Sequence, residues 1–338
     1  MNPALQALVA ITIGVGGCLG YFIGANRVLD WLVRRAARGA DRDRALRAVR
    51  RATLLRPWLF LLPALIMGEL YLVYPFFETL RLSLTERLAS GDYFWAGADN
   101  YQQMLGAPDF REALRNTLLW MLVVPAAATT IGLIAAEVTR HGRTGRLVRA
   151  MILLPLVLSL AGAATAWKMI YAYAPPGEVQ TGLLNAVVTA LGGQPRDWLA
   201  DPMLGSFAMM AILIWAQTGL AMVIFAPALG AIPPAYTEAA RVDGAGPVQV
   251  FLRIQVPLVR GTVMVVWTML TLMAARIFDI VFALTDAQGP GQVLSTYMYH
   301  KLFHDGDWGV AAAAAMVMLA LVTPILVWNV VQARRAME

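Results

Sequence analysis

Residues 204–257 read LGSFAMMAILIWAQTGLAMVIFAPALGAIPPAYTEAARVDGAGPVQVFLRIQVP. The first half, 204–230, carries no charged side chain. A bilayer core of about 30 Å takes roughly 20 mostly apolar residues as helix, so this half predicts a membrane-spanning helix. The second half has a different character. Pro233 and Pro234 stop the apolar helix and are tolerated in the first turn of another. Tyr236, Ala239, Ala240 and Asp243 fall on one face at helical spacing, and the alanines let a neighbour approach closely. Gly244 can take a left-handed conformation and end this short helix. Pro247 can restart one, and Pro257 closes it before the next apolar run. The stretch predicts a helix–turn–helix set between two membrane spans.

Ala4–Ala25, Pro57–Leu80, Asn116–Glu137, Ala150–Tyr173, Pro257–Thr285 and Gly309–Val331 meet the same length criterion beside Leu204–Gly230, seven segments in all. None shows the period-two alternation of a barrel strand, and helices satisfy their own backbone in lipid. Composition agrees: the chain is 59% hydrophobic and 14% charged, against about 25% charged in a soluble domain. The expected class is an all-α integral membrane protein of about seven spans.

Charge sets the expected orientation. The first basic residue, Arg27, follows the first apolar stretch, whereas a cleavable signal peptide is basic before it. The first segment therefore reads as an anchor. Arginines crowd into 27–56, 140–149 and 241–260 and recur at Arg334 and Arg335, while the alternate loops hold Asp92, Asp99, Asp109, Glu178, Asp197, Asp201, Asp286, Asp305 and Asp307. Basic residues mark the cytoplasmic side, which gives N-out and C-in. Trp58, Trp120, Trp167 and Trp308 near span ends suit an aromatic belt. The Arg-rich stretch reads as a surface helix or tether drawn to anionic lipid headgroups. The remaining outer loops are too short for sizeable domains.

Several classes fall away. The net charge of +6 is concentrated in loop arginines, not in a basic stripe interleaved with aromatics, which argues against nucleic acid. A Walker A loop needs lysine after glycine and before Ser or Thr, and the two lysines, Lys168 and Lys301, precede Met169 and Leu302. Cys18 has no partner cysteine and reads as a small buried residue. His300 and His304 have metal-pair spacing but no further ligand, so a solvated pair is the expected state. No nucleophile–base constellation is evident.

At Glu238-Ala239-Ala240, Asp243-Gly244-Ala245 and the downstream Pro257, the sequence resembles the EAA loop of permeases from binding-protein-dependent ABC importers. The likeness runs over roughly 55–335. Arg56-Pro57-Trp58 through Pro63, Tyr74-Pro75, Leu82-Ser83, Asn100-Tyr101, Asn116-Thr117, Leu183-Leu184-Asn185 and Phe278-Asp279 look like carbohydrate permeases of the maltose-transporter large-subunit type. Ile214-Trp215-Ala216-Gln217-Thr218-Gly219 and Trp328-Asn329 lean toward alpha-glucoside permeases. The glycine-rich turn usual after the sixth helix reads Asp286-Ala287-Gln288-Gly289-Pro290-Gly291 here, and a proline often found near Arg260-Gly261 is absent.

The resemblance implies an extra N-terminal helix over 1–26, an Arg-rich cytoplasmic segment over 27–56, a six-helix importer core over 57–332 with its coupling loop at 232–257, and a tail at 333–338. It implies that Glu238, Ala239, Ala240, Asp243, Gly244 and Ala245 form the contact with an ATPase dimer. ATP and magnesium would sit on that partner, with no cofactor and no metal on this chain. A second permease and an extracytoplasmic sugar-binding protein would complete an inner-membrane complex in bacteria. The rival readings are a transporter driven by an ion gradient, which needs no ATPase, and an integral-membrane enzyme, which needs a buried catalytic cluster.

Charges inside a bilayer usually face protein or water. Glu69, Lys168, Arg276 and Asp279 fall within predicted spans. Lys168 can snorkel to the interface. Arg276 and Asp279, three apart, can meet on one helical face, either as a structural ion pair or as a polar patch by the pathway. Trp215 and Gln217 precede the helix–turn–helix. An aromatic beside an amide suits a sugar's apolar face and hydroxyls, and plain helix packing is the competing reading.

Overall fold

The computed structural model describes residues 3–37, 42–87, 91–140, 142–201, 204–286, 289 and 291–335. The chain divides into two units, Met1–Glu78 and Thr79–Glu338.

The first unit is a helical pair, α1 (Pro3–Ala37) and α2 (Arg42–Gly68), followed by a π-helical turn at Glu69–Val73 and the start of α3 (Tyr74–Ser83). Phe22 of α1 stacks on Phe60 of α2 with centroids 5.3 Å apart, and Tyr21 Oη donates to the Leu59 carbonyl at 2.8 Å. Arg56 reaches Asp30 at 2.5 Å, with both side chains about half exposed; such a pair contributes little. The arginines at 34–35 and 42–56 extend α1 and α2 rather than forming a separate surface helix, and residues 38–41 lie outside the described residues. Cys18 is exposed on α1, not buried as its apolar neighbours suggested. The Ala4–Ala25 stretch lies within α1.

The second unit holds the remaining helices. After α3 a short antiparallel hairpin pairs β1 (Thr85–Arg87) with β2 (Tyr93–Trp95), Glu86 opposite Phe94. Then follow α4 (Asp99–Gly106), α5 (Pro108–Val138), α6 (Gly142–Leu153), α7 (Leu160–Ile170), α8 (Leu183–Ala190) and α9 (Leu204–Gly230). The chain continues through α10 (Pro234–Val242), α11 (Pro247–Val250), α12 (Val256–Leu258), α13 (Arg260–Ala275), α14 (Asp279–Thr285), α15 (Leu294–Phe303) and α16 (Trp308–Arg335).

Among the described residues, Thr53–Ser83, Pro108–Val138, Leu204–Gly230, Arg260–Thr285 and Trp308–Gln332 are long and apolar enough to cross a membrane. The straight span expected over Ala150–Tyr173 is instead broken: Thr144–Val157 and Leu160–Ile170 meet at 106°. The cause is local. Pro155 sits in a 3-10 turn, Leu158 is extended at φ −78°, ψ 142°, and the Ser159 hydroxyl accepts from Gly162 N at 3.1 Å, capping a new helix. Pro125, Pro227 and Pro324 lie within helices of the other spans, which neighbouring helices make tolerable in a membrane protein.

α5 and α9 are the spine. A Cβ added to Gly132 would stand 2.5 Å from the Ala221 Cβ and 3.1 Å from the Met222 nitrogen, so only glycine permits this backbone approach. Around the pair lie two buried clusters, one centred on Trp120, Met209, Met210 and Leu213, the other on Phe225, Leu229, Val266 and Leu270. Trp120, expected in an aromatic belt, is fully buried in the first. Trp58 and Trp308 are exposed.

Candidate functional site

The expected helix–turn–helix is present, and its residues do what their types suggested. Pro233 is extended (φ −58°, ψ 131°) and Pro234 opens α10. At its end Gly244 N donates to the Arg241 carbonyl at 3.0 Å and Ala245 N to the Ala240 carbonyl at 2.9 Å. This paired pattern, with Gly244 at φ +82°, is a Schellman termination. Gly246 N then donates to Gln249 Oε1 at 3.2 Å as α11 starts at Pro247. The second helix runs on past the expected stop at Pro257, through a π turn at Phe251–Gln255 and α12, and breaks at Val259.

Burial divides this segment sharply. Ile232, Val250, Gln255 and Val259 are buried and fix both ends to the spans. Between them α10 has no buried residue. Glu238, Ala239, Asp243 and Gly244 are exposed, and Ala240 and Ala245 are half-buried. The Glu238 carboxylate makes no hydrogen bond or ion pair among the described residues. The surface is therefore a short helix held out from the bundle, with an uncommitted carboxylate, two small side chains and a fixed turn.

The intramembrane candidates do not form one cluster. Trp215 and Gln217 are two residues apart in α9, about 200° around a helix. Trp215 is 38% exposed and meets the edge of Trp167 at 5.6 Å. Gln217 is buried, and its Oε1 has no hydrogen-bond partner. The aromatic-beside-amide arrangement read from the sequence is thus split between two faces. Arg276 and Asp279 are also separated, because the span breaks between them. Arg276 ends α13 and Asp279 begins α14, both are exposed, and no ion pair joins them. Each instead suits its own helix end, a cation at a C-terminus and an anion at an N-terminus. Glu69 lies in the π turn of the first unit and is exposed, and Lys168 lies in the exposed last turn of α7.

Two groups escaped sequence reasoning. Phe278 and Phe282 stack at 5.0 Å, and Tyr299 packs on them at 5.3 and 5.1 Å and on Phe303 at 4.8 Å. The i, i+4 spacing of the two phenylalanines was the available signal. The second group joins Gln255 to Glu137, 118 residues away, and no local pattern announces it. His300 and His304 stack at 4.8 Å with His300 Nδ1 3.5 Å from Asp305. Among the described residues no cluster suits a metal ion.

Three of the asparagines that carried the sequence resemblance, Asn100, Asn116 and Asn185, are fasteners at the end remote from α10. Asn185 donates to the Ala172 and Arg196 carbonyls at 3.0 and 2.9 Å and accepts from Arg196 N and Trp198 Nε1, both at 3.0 Å. Asn100 ties the Ser83 and Thr85 carbonyls at 3.0 and 2.9 Å. Asn116 donates to the Gln292 carbonyl at 2.9 Å, and the Thr117 hydroxyl accepts from Leu294 N at 2.9 Å.

Residues 128–337, which contain the whole α10–α12 segment, match the family described as binding-protein-dependent transport system inner membrane component. The alpha-glucoside transport system permease protein AglF of Rhizobium meliloti (strain 1021) is 44% identical over 336 residues, 99% of this chain and 98% of the relative. The osmoprotective compounds uptake permease protein GgtC of Synechocystis is 36% identical over 272 residues, 80% of this chain and 96% of the relative. A crystal structure of a bacterial ABC transporter involved in import of the acidic polysaccharide alginate contains a chain with TM-score 0.70 and 22% identity, covering 87% of this chain and all of that one, which shows the shared fold. The chain belongs to the binding-protein-dependent transport system inner membrane components.

Proposed function

We propose that the chain is the permease subunit of an ATP-binding-cassette importer and carries a sugar across the bacterial inner membrane, an alpha-glucoside or a small oligosaccharide such as maltose or trehalose. The observation that carries the reading is α10, an unburied helix anchored at both ends to the spans. Its exposed Glu238-Ala239 edge and fixed Gly244 turn suit a cleft in a second protein. The sugar class rests on likeness to the alpha-glucoside permease, which extends over nearly the full length of both chains.

In this reading Glu238, Ala239, Ala240, Asp243, Gly244 and Ala245 dock on the cytoplasmic ATPase dimer, which holds ATP and magnesium. A second, related permease completes the pathway, and an extracytoplasmic binding protein delivers the sugar. Closure of the ATPases moves α10, and the pathway alternates between outward and inward access. No bond in the sugar is broken. Trp215 offers an exposed aromatic face for stacking, and Arg276 and Asp279 border the helix break.

The test is Glu238→Lys in the assembled complex. A hydrogen bond to a charged group contributes about 1.5–3 kcal/mol, so reversal of charge is expected to weaken ATPase retention about tenfold or more and to abolish uptake, while membrane insertion stays normal. Normal ATPase yield with normal uptake would remove α10 from the coupling role.

A further inference from the structure

The coupling segment re-enters the bundle at one polar joint. Gln255, the last residue of the π turn, is buried, and its Nε2 donates to Glu137 Oε1 at 3.2 Å. Glu137 lies in the last turn of α5, and its Oε2 stands 3.6 Å from Arg140 Nη1. Arg140 in turn donates through Nη2 to the carbonyl of Leu229, in the last turn of α9, at 3.1 Å. One chain of contacts therefore runs from the segment behind α10 into α5 and on to α9. Gln255 Oε1 is buried without a hydrogen-bond partner, and the Glu137 carboxylate is shared between the Gln255 amide and the Arg140 guanidinium. A single π turn inside a helix is itself frequent at functional sites.

We infer that Glu137 and Gln255 are positioning residues for coupling: their amide–carboxylate contact passes displacement of α10 to the α5–α9 spine, without either residue touching nucleotide or sugar. The inference rests on the importer reading above. Apolar packing at Val250, Val259 and Phe251 holds the segment in place. The Gln255–Glu137 bond gives it a directional link that sliding apolar contacts do not supply.

The experiment uses the full complex with its ATPases, partner permease and binding protein in proteoliposomes, with radiolabelled trehalose as probe. The readout is the ratio of sugar taken up to ATP hydrolysed. Gln255→Glu sets a carboxylate against Glu137 and removes the donor, and is expected to lower the ratio about fivefold or more, the lower bound for an allosteric coupling. Glu137→Gln combined with Gln255→Glu restores the pair with its polarity reversed and is expected to recover the ratio. A brace would change yield or thermal midpoint and leave the ratio alone. An unchanged ratio in Gln255→Glu, or no recovery in the double variant, overturns the inference. If Gln255→Glu does not assemble, Gln255→Leu takes its place, and an unchanged ratio there overturns it equally. Absence of trehalose-dependent ATP hydrolysis in the unsubstituted complex would sink the importer reading for this sugar, and the inference with it, before any variant is compared.

Discussion

The two ends of the second unit are built by opposite rules. At the end remote from α10, loops are tied to helices by buried asparagines whose hydrogen bonds are nearly all met; Asn185 alone makes four. At the other end α10 buries nothing of its own, and the Glu238 carboxylate is exposed. Full satisfaction fixes a geometry, because every alternative strands a polar group. An exposed helix with few internal commitments can exchange its neighbours at low cost. The difference assigns a frame to one end and a docking element to the other.

The largest effects are expected at Asn185 and Gly182. A Cβ on Gly182 would lie 2.0 Å from the Ala172 carbonyl oxygen that Asn185 binds. Gly182→Ala and Asn185→Ala are both expected to lower the yield of folded protein and the thermal midpoint, at about 1–3 kcal/mol for each stranded buried group. If either variant unfolds at the unsubstituted temperature in detergent, this end is no frame.

A smaller, local effect is expected at Gly244, where a Cβ meets nothing within 4 Å but φ is +82°. Gly244→Val should cost about 1–3 kcal/mol in backbone strain, confined to the turn. Its thermal midpoint should hold while ATPase co-purification falls. Loss of the whole fold instead would show that the turn belongs to the frame.

The smallest effect sharpens the comparison with pH. Asp305, on the frame side, is held below the ordinary aspartate value of 3.8 chiefly by the hydrogen bond from Lys301, at 2.7 Å. A carboxyl depressed in the folded state adds stability above its unfolded pKa and loses it as pH falls through the folded one. Asp305→Asn should thus lower the thermal midpoint slightly at neutral pH and not at all once pH drops below that range. An equal deficit at both pH values would assign the loss to packing.

Gly244 and Pro234 were legible in the sequence because a turn's demands on φ and on the missing N–H are local. Five of the expected spans were legible because membrane length is a local property too, whereas length and composition alone gave no sign of the break at Leu158–Ser159. Trp215 and Gln217 misled because adjacency in sequence is not adjacency on a helix. Arg276 and Asp279 misled because their pairing assumed a continuous helix that ends at Ala275. Asn185 was recognisable by resemblance, yet its four partners lie 11 to 13 residues away and only the folded loop collects them. Gln255 with Glu137 is the extreme case, since a contact over 118 residues leaves no periodic trace.

The contact at Gly132 constrains where cargo can travel. Its backbone lies so close to Ala221 and Met222 that a single added methyl group would overlap. A pyranose ring is far wider than a methyl group, so no route opens between α5 and α9 at this level unless the spine itself comes apart. Any conduit at this level must skirt the spine along another flank of α9.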